Sequence, residues 1–250
     1  MAKIVSIHSF RGGTGKSNVT ANLASLAALA GKRVGVVDTD IQSPGIHVIF
    51  GFDEERMVRS LNDYLWDRCA VEEAAYDVSD VLGSGAAGRM FLIPSSLKTG
   101  EIARILREGY DVRRLTDGLH ALIRALALDV LFIDTHPGVN EETLLSIAIS
   151  DVLVVVLRAD QQDYLGTAVT VDLARRLEVA DMVMLVNKVL PEMDAGVVRK
   201  KVEDAYGAPV GGVLPLSEDL VRLASGGVFS LRFPDHPVTR VLRELAARVA

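Results

Sequence analysis

Short apolar runs recur along the chain, and longer helical patterns separate most of them. Ile4–His8, Arg33–Val37, Met90–Ile93, Val130–Ile133, Val152–Leu157, Met182–Val186 and Val210–Leu214 read as strands. Their apolar residues run on rather than alternate with polar ones, which is the pattern of strands covered on both faces. Ser17–Ala30, Leu115–Leu128, Asn140–Ser150 and Tyr164–Leu177 read as helices, and Gly31 supplies a stop signal for the first. This alternation predicts the α/β class: a doubly wound, mostly parallel sheet with helices on both faces. No linker-like tract divides the chain. Gly83–Gly88 reads as a loop before a strand, and one domain over residues 1–250 is the simplest organisation.

Composition tests this picture against a membrane protein. Hydrophobic residues make up 49% of the chain and the mean hydropathy is +0.27. No charge-free stretch reaches the roughly 18 residues that a spanning helix needs. Met1-Ala2-Lys3-Ile4-Val5-Ser6-Ile7 lacks the long apolar region of a signal peptide, so the expected location is cytoplasmic. Cys69 is the only cysteine, which excludes an intrachain disulfide and any Cys-x-x-Cys motif. A net charge of −6 argues against a wholly basic nucleic-acid binder and leaves room for a local basic patch.

The candidate chemistry begins after the first strand. Arg11-Gly12-Gly13-Thr14-Gly15-Lys16-Ser17 lies between a strand and a helix start, the context in which a glycine-rich loop cradles phosphate. Its successive N–H groups at a helix N-terminus form an anion site. Lys16 is expected on the β- and γ-phosphates of ATP and the Ser17 hydroxyl on Mg²⁺. Gly12, Gly13, Thr14, Gly15 and Asn18 complete the expected ATP contacts. Two further strands end in acids: Val34–Val37 in Asp38-Thr39-Asp40, and Leu131–Ile133 in Asp134. Carboxylates at the C-terminal edge of a doubly wound sheet lie where ligands bind. Asp134 fits a Walker B element, which orders Mg²⁺. Asp38 and Asp40 fit either the metal and γ-phosphate or a capped turn.

Gly-Gly-x-Gly-Lys-Ser after a strand resembles the deviant Walker A motif of the MinD/ParA family of P-loop ATPases. Phe10 stands where the usual P-loop pattern has glycine, and Arg11 where the family has its signature lysine. The resemblance spans most of the chain and implies a role for each matching residue. Asp40 would position the attacking water, and Asp38 would support the metal shell. Gly138, in Asp134-Thr135-His136-Pro137-Gly138, would be a γ-phosphate switch; the family reads Asp-x-Pro-Pro-Gly there, with proline in place of His136. His136 itself reads as a spacer or a hydrogen-bonded structural residue. Asn187, after Val183–Val186, would hydrogen-bond adenine, and Pro215 would pack on it. Relatives form ATP-dependent homodimers in which the signature lysine reaches the partner's site, so Arg11 would carry that role here. They then bind a membrane or nonspecific DNA surface, answer to a protein activator or cargo adaptor, and position chromosomes, plasmids, division sites or flagella. The resemblance therefore implies an ATPase yielding ADP and phosphate that works in the cytoplasm or peripherally at membrane or nucleoid. Two other readings stand beside it: a nucleotide-gated adaptor or carrier with little turnover, and an ATP-dependent ligase on the same fold. Iron–sulfur relatives need more thiols than Cys69 provides.

Three segments admit two uses each. Pro237–Ala250 is amphipathic, with Val238, Val241, Leu242, Leu245 and Val249 on one face, and fits a membrane anchor or, as we expect, the last core helix. Arg199-Lys200-Lys201 fits DNA phosphates or a solvated helix face. Asp160-Gln161-Gln162-Asp163 fits a dimer or nucleotide contact, or a solvated loop near a helix start.

Overall fold

Every apolar run expected to be a strand is one, because each sends alternate residues into two different cores. Val5 and Ile7 of the first strand enter one apolar cluster and Ile4 another; Val152, Val154 and Val156 face one side, Leu153, Val155 and Leu157 the other. A strand of period 2 buried on both faces reads as continuous in sequence for this reason. The computed structural model describes residues 2–250; Met1, the first residue of the expected 1–250 domain, lies outside them.

The strands are β1 (Lys3–His8), β2 (Arg33–Asp38), β3 (Tyr76–Asp77), β4 (Arg89–Ile93), β5 (Val130–Asp134), β6 (Val152–Arg158), β7 (Asp181–Val189) and β8 (Val210–Pro215). They form one sheet in the order β3-β4-β2-β5-β1-β6-β7-β8. Only the β3–β4 pair is antiparallel. The chain leaves β1 toward β2 on one side, then crosses back from β5 to β6 on the other. The switch point therefore lies at the C-terminal ends of β1 and β5, where doubly wound sheets bind ligands.

The helices are α1 (Lys16–Leu29), α2 (Ile46–Ile49), α3 (Leu61–Leu65), α4 (Thr99–Glu108), α5 (Val112–Ala125), α6 (Glu141–Ala148), α7 (Gln161–Arg176), α8 (Ala195–Tyr206), α9 (Glu218–Leu223), α10 (Phe229–Arg232) and α11 (Pro237–Val249). Helix α1 packs on the sheet beneath α10 and α11 and is buried nearly all round. Helices α3, α4 and α5 cover the opposite face over β2, β4 and β5, and α7 and α8 cover it over β6 and β7.

Caps explain where helix starts differ from the apolar periodicity. Asp111 accepts the Arg113 N–H, so α5 begins before Leu115. Asp160 accepts the N–H groups of Gln162 and Asp163, so α7 begins before Tyr164 and the Asp160–Asp163 stretch is a helix start rather than a loop. Asn140 caps α6 through the Thr143 N–H. The apolar face of α11, with Val238, Leu242, Leu245 and Val249, lies in the same core as α1, so this helix is a packing element as expected. In α8, Arg199 is engaged by the Val210 carbonyl and Glu203, while Lys201 sits over the Tyr164 ring. No helix among the described residues is long and apolar enough to cross a membrane.

Candidate functional site

The loop after β1 is shaped by what its carbonyls bond to. Ser9 Oγ donates to Arg11 O (2.9 Å), Lys188 Nζ to Gly13 O (2.7 Å) and Asn187 Nδ2 to Thr14 O (2.8 Å). In a trans peptide the N–H points opposite to the carbonyl. Three carbonyls held by flanking groups therefore turn the Gly12, Thr14 and Gly15 N–H groups the other way, as an anion cradle requires. Gly15 starts α1 at φ +95°, and a Cβ there would lie 2.6 Å from Asn187 Nδ2, so no other residue fits without displacing the asparagine. The loop lines a cleft of 280 Å³ with Lys16, Ser17, Asn18, Asp40 and His136.

Phe10 replaces the first glycine of the usual pattern because its ring has a place to go. It lies against Gly166 of α7, where a Cβ would come within 2.0 Å of the ring. The missing side chain on α7 makes room for the extra one on the loop.

The sheet brings the acids together. In the parallel register of β2 and β5, Asp38 is opposite Asp134. Asp134 is buried and accepts from Lys16 Nζ (2.8 Å) and Thr20 Oγ1 (3.0 Å). Asp38 is fully buried, and its two oxygens accept the N–H groups of Asp40 (3.0 Å) and Gly45 (3.2 Å). Burial, and then the Asp134 charge beside it, push Asp38 up to about 8. Both Asp38 oxygens are thus engaged in closing the turn after β2, which carries Asp40. Asp40, two residues on, lines the cleft. Its Oδ1 accepts from His136 Nδ1 (2.7 Å) and from the Ser43 N–H (3.2 Å).

His8 closes the floor. Its Nδ1 donates to Thr135 Oγ1 (2.9 Å), whose own proton goes to Ile7 O (3.0 Å). The His8 Nε2 is buried with no partner. Burial, with Lys16 and His136 nearby, lowers its pKa to about 3, so the ring is neutral.

Arg11 lies half-buried beside its own chain's Asp163 (3.5 Å) and Asp160 (3.8 Å). Asp163 is itself buried and gripped by Arg158. The Gly138 N–H donates to Ser9 O (3.1 Å), so in this arrangement it is spent within the loop.

The other expected residues meet at a second hollow of 210 Å³ beside the loop. Asn18, Asn187 and Pro215 line it together, with apolar walls from Val19, Leu214, Leu220 and Val221. The α9 walls, Thr20 and Lys188 escaped the sequence reading. Only Thr20 left a signal there, since it follows Lys16 by one helical turn and so shares its face.

Comparison with known proteins agrees with this architecture. Residues 5–231 match the CobQ/CobB/MinD/ParA nucleotide binding domain. An uncharacterized ATP-binding protein of Methanocaldococcus jannaschii is 29% identical over 251 residues, covering 100% of this chain and 88% of its own. The iron-sulfur cluster carrier protein of Methanococcus maripaludis is 30% identical over 216 residues, covering 83% of this chain and 67% of its own. Among solved structures, the septum site-determining protein MinD of Pyrococcus horikoshii complexed with Mg-ADP superposes with a TM-score of 0.79 at 19% identity, covering 100% of this chain and 96% of the other. A glycine loop at the switch point, acids on the flanking strands and a match over most of the length converge: the chain belongs to the CobQ/CobB/MinD/ParA nucleotide-binding family.

Proposed function

We propose that the chain is a single P-loop ATPase domain that binds Mg-ATP, dimerises when ATP is bound, and hydrolyses it to position or partition a cellular cargo from the cytoplasm. The carrying observation is the cleft in which the loop's N–H groups, Lys16, Ser17 and Asp40 converge. Lys16 neutralises the β- and γ-phosphates; to do so it leaves Asp134, which keeps Thr20 as a donor. The hollow lined by Asn18, Asn187 and Pro215 takes the adenine.

The donors present fit Mg²⁺, which prefers hard oxygen ligands and shares its shell with nucleotide phosphates. Ser17 and Asp134 would supply hydroxyl and carboxylate oxygens with Asp38 in support, which leaves Asp40 Oδ2, without a partner among the described residues, for the water. Mg²⁺ held by Ser17 and Asp134 would supply positive charge to offset that of the phosphates. The chain's own part is positioning: Asp40 orients a water toward the γ-phosphorus, the loop N–H groups hold the equatorial oxygens, and Gly138 exchanges Ser9 for the γ-phosphate. Arg11 acts across the dimer once it leaves Asp160 and Asp163. A protein activator, and a membrane or DNA surface, would complete the cycle.

A carrier reading draws on the iron-sulfur relative. One cysteine per chain gives a homodimer two thiolates, short of the four that common clusters use. A nucleotide-gated adaptor without a cluster is the form of that reading which survives.

Solution mass with ATP and with ADP, on the unmodified chain and on Asp40→Ala to slow turnover, tests the proposal. A dimer with ATP alone is expected. A monomer with both nucleotides, despite tight ATP binding, would overturn the dimer cycle in favour of the adaptor.

A further inference from the structure

Asp40 and His136 come from different loops, 96 positions apart, yet they meet at 2.7 Å. The sheet register explains the meeting. Asp38 and Asp134 are opposite one another at the ends of β2 and β5, and each partner lies two residues beyond its strand. Neither loop is loose. The His136 carbonyl accepts from Thr143 Oγ1 (3.2 Å) on the first turn of α6, and the preceding Thr135 hydroxyl is tied to β1. On the other side the Ser43 N–H reaches the same Asp40 Oδ1. The terminal torsion of an aspartate is soft and two-fold, so its oxygens interchange unless something selects one. Two donors on Oδ1 make that selection and leave Oδ2 as the oxygen without a partner.

We propose that His136 is a positioning residue: by donating from Nδ1 to Asp40 Oδ1, it presents the free Oδ2 to the water that attacks the γ-phosphate. This rests on the ATPase reading above. In the step, the water oxygen bonds to the γ-phosphorus, the bond to the β,γ-bridging oxygen breaks, and ADP leaves with that electron pair. The water proton passes to the phosphate released. In this role His136 acts through Asp40. Because both residues lie at the C-terminal edge of adjacent strands, the same bond ties the turn after β2 to the loop after β5.

The test measures kcat and KM for ATP, the affinity for a non-hydrolysable ATP analogue, and thermal unfolding, in His136→Ala, His136→Asn and the unmodified chain. His136→Ala is expected to lose about tenfold or more in kcat, since small misplacements of a reacting group carry effects of that size. Analogue affinity and thermal midpoint are expected to stay unchanged. His136→Asn, whose amide N–H can take the place of Nδ1–H, is expected to recover most of the rate. An unchanged kcat in His136→Ala would overturn the inference and leave the ATPase reading intact. Parallel loss of kcat, analogue affinity and thermal midpoint, unrelieved in His136→Asn, would also overturn it by showing a merely structural role. Absence of turnover in the unmodified chain would sink the ATPase reading, and this inference with it.

Discussion

The two ends of the nucleotide cleft are built on different principles. At the phosphate end, polar groups are wired to one another: Lys16 and Thr20 to Asp134 and His8 to Thr135 among buried groups, and Asp40 to His136 at the partly buried rim. At the base end, apolar side chains of α1 and α9 form the walls, and Val221 and Leu216 remain exposed. A polar network has discrete arrangements and resists partial disruption. An apolar wall tolerates change in proportion to the area involved. On the proposed ATPase reading, the phosphate end would register nucleotide state and the base end would set affinity.

Removing one member of the polar network tests that contrast most severely. In Lys16→Ala, Asp134 is left as a buried carboxylate beside Asp38, with Thr20 as its remaining donor. Stability should fall by about 3 kcal/mol, the usual cost of orphaning a buried charge. Turnover should fall by a hundredfold or more, by roughly the value of a preorganised donor to developing phosphate charge. Chemical denaturation and steady-state kinetics measure the two. A variant as stable as the unmodified chain would break the claim that the network is wired in the nucleotide-free fold.

At the other end, Val221→Asp places a carboxylate on the wall of the base hollow. KM for ATP should rise about tenfold, the scale of a changed pocket contact, with kcat and stability unaltered. A fall in kcat as large as the rise in KM would show that the base end also takes part in the chemistry.

A pH-dependent effect concerns His8. Its folded pKa of about 3 lies below the unfolded value of 6.5, so the unfolded chain binds the extra proton between those two pH values. The stability that depends on a neutral ring is complete above pH 6.5 and is lost as the pH falls toward 3. Unfolding midpoints measured down that range should drop more steeply in the unmodified chain than in His8→Gln. Equal slopes would place the acid sensitivity in the carboxylates instead.

Legibility in sequence followed the same division. Strands buried on both faces announce themselves as unbroken apolar runs, and the glycine loop is a contiguous motif. The two-residue β3 and the short helical turns of residues 46–82 carry too few positions for either period to appear. Asp40 and Asp134 could be placed from their strands alone. Their neighbours could not, because the Asp40–His136 contact needs the register of two strands that are far apart in sequence. The turn-closing bonds of Asp38 were hidden for a related reason: whether an acid at a strand end faces a ligand or closes its own turn depends on the path of the next residues. The α9 wall has no signature beyond an ordinary amphipathic turn.

Helix α1 has one more consequence. It is enclosed by the sheet on one side and by α10 and α11 on the other, so its first turn cannot shift without disturbing the core. On the proposed ATPase reading it would be the stator, and nucleotide changes would be converted into movement by parts mounted around it, the turn after β2 and the loop after β5. Those parts stand at the same edge of the sheet as Phe10 and the start of α7. A partner that senses whether ATP is intact should therefore read the rim of the cleft, while the helix that holds the phosphates keeps still.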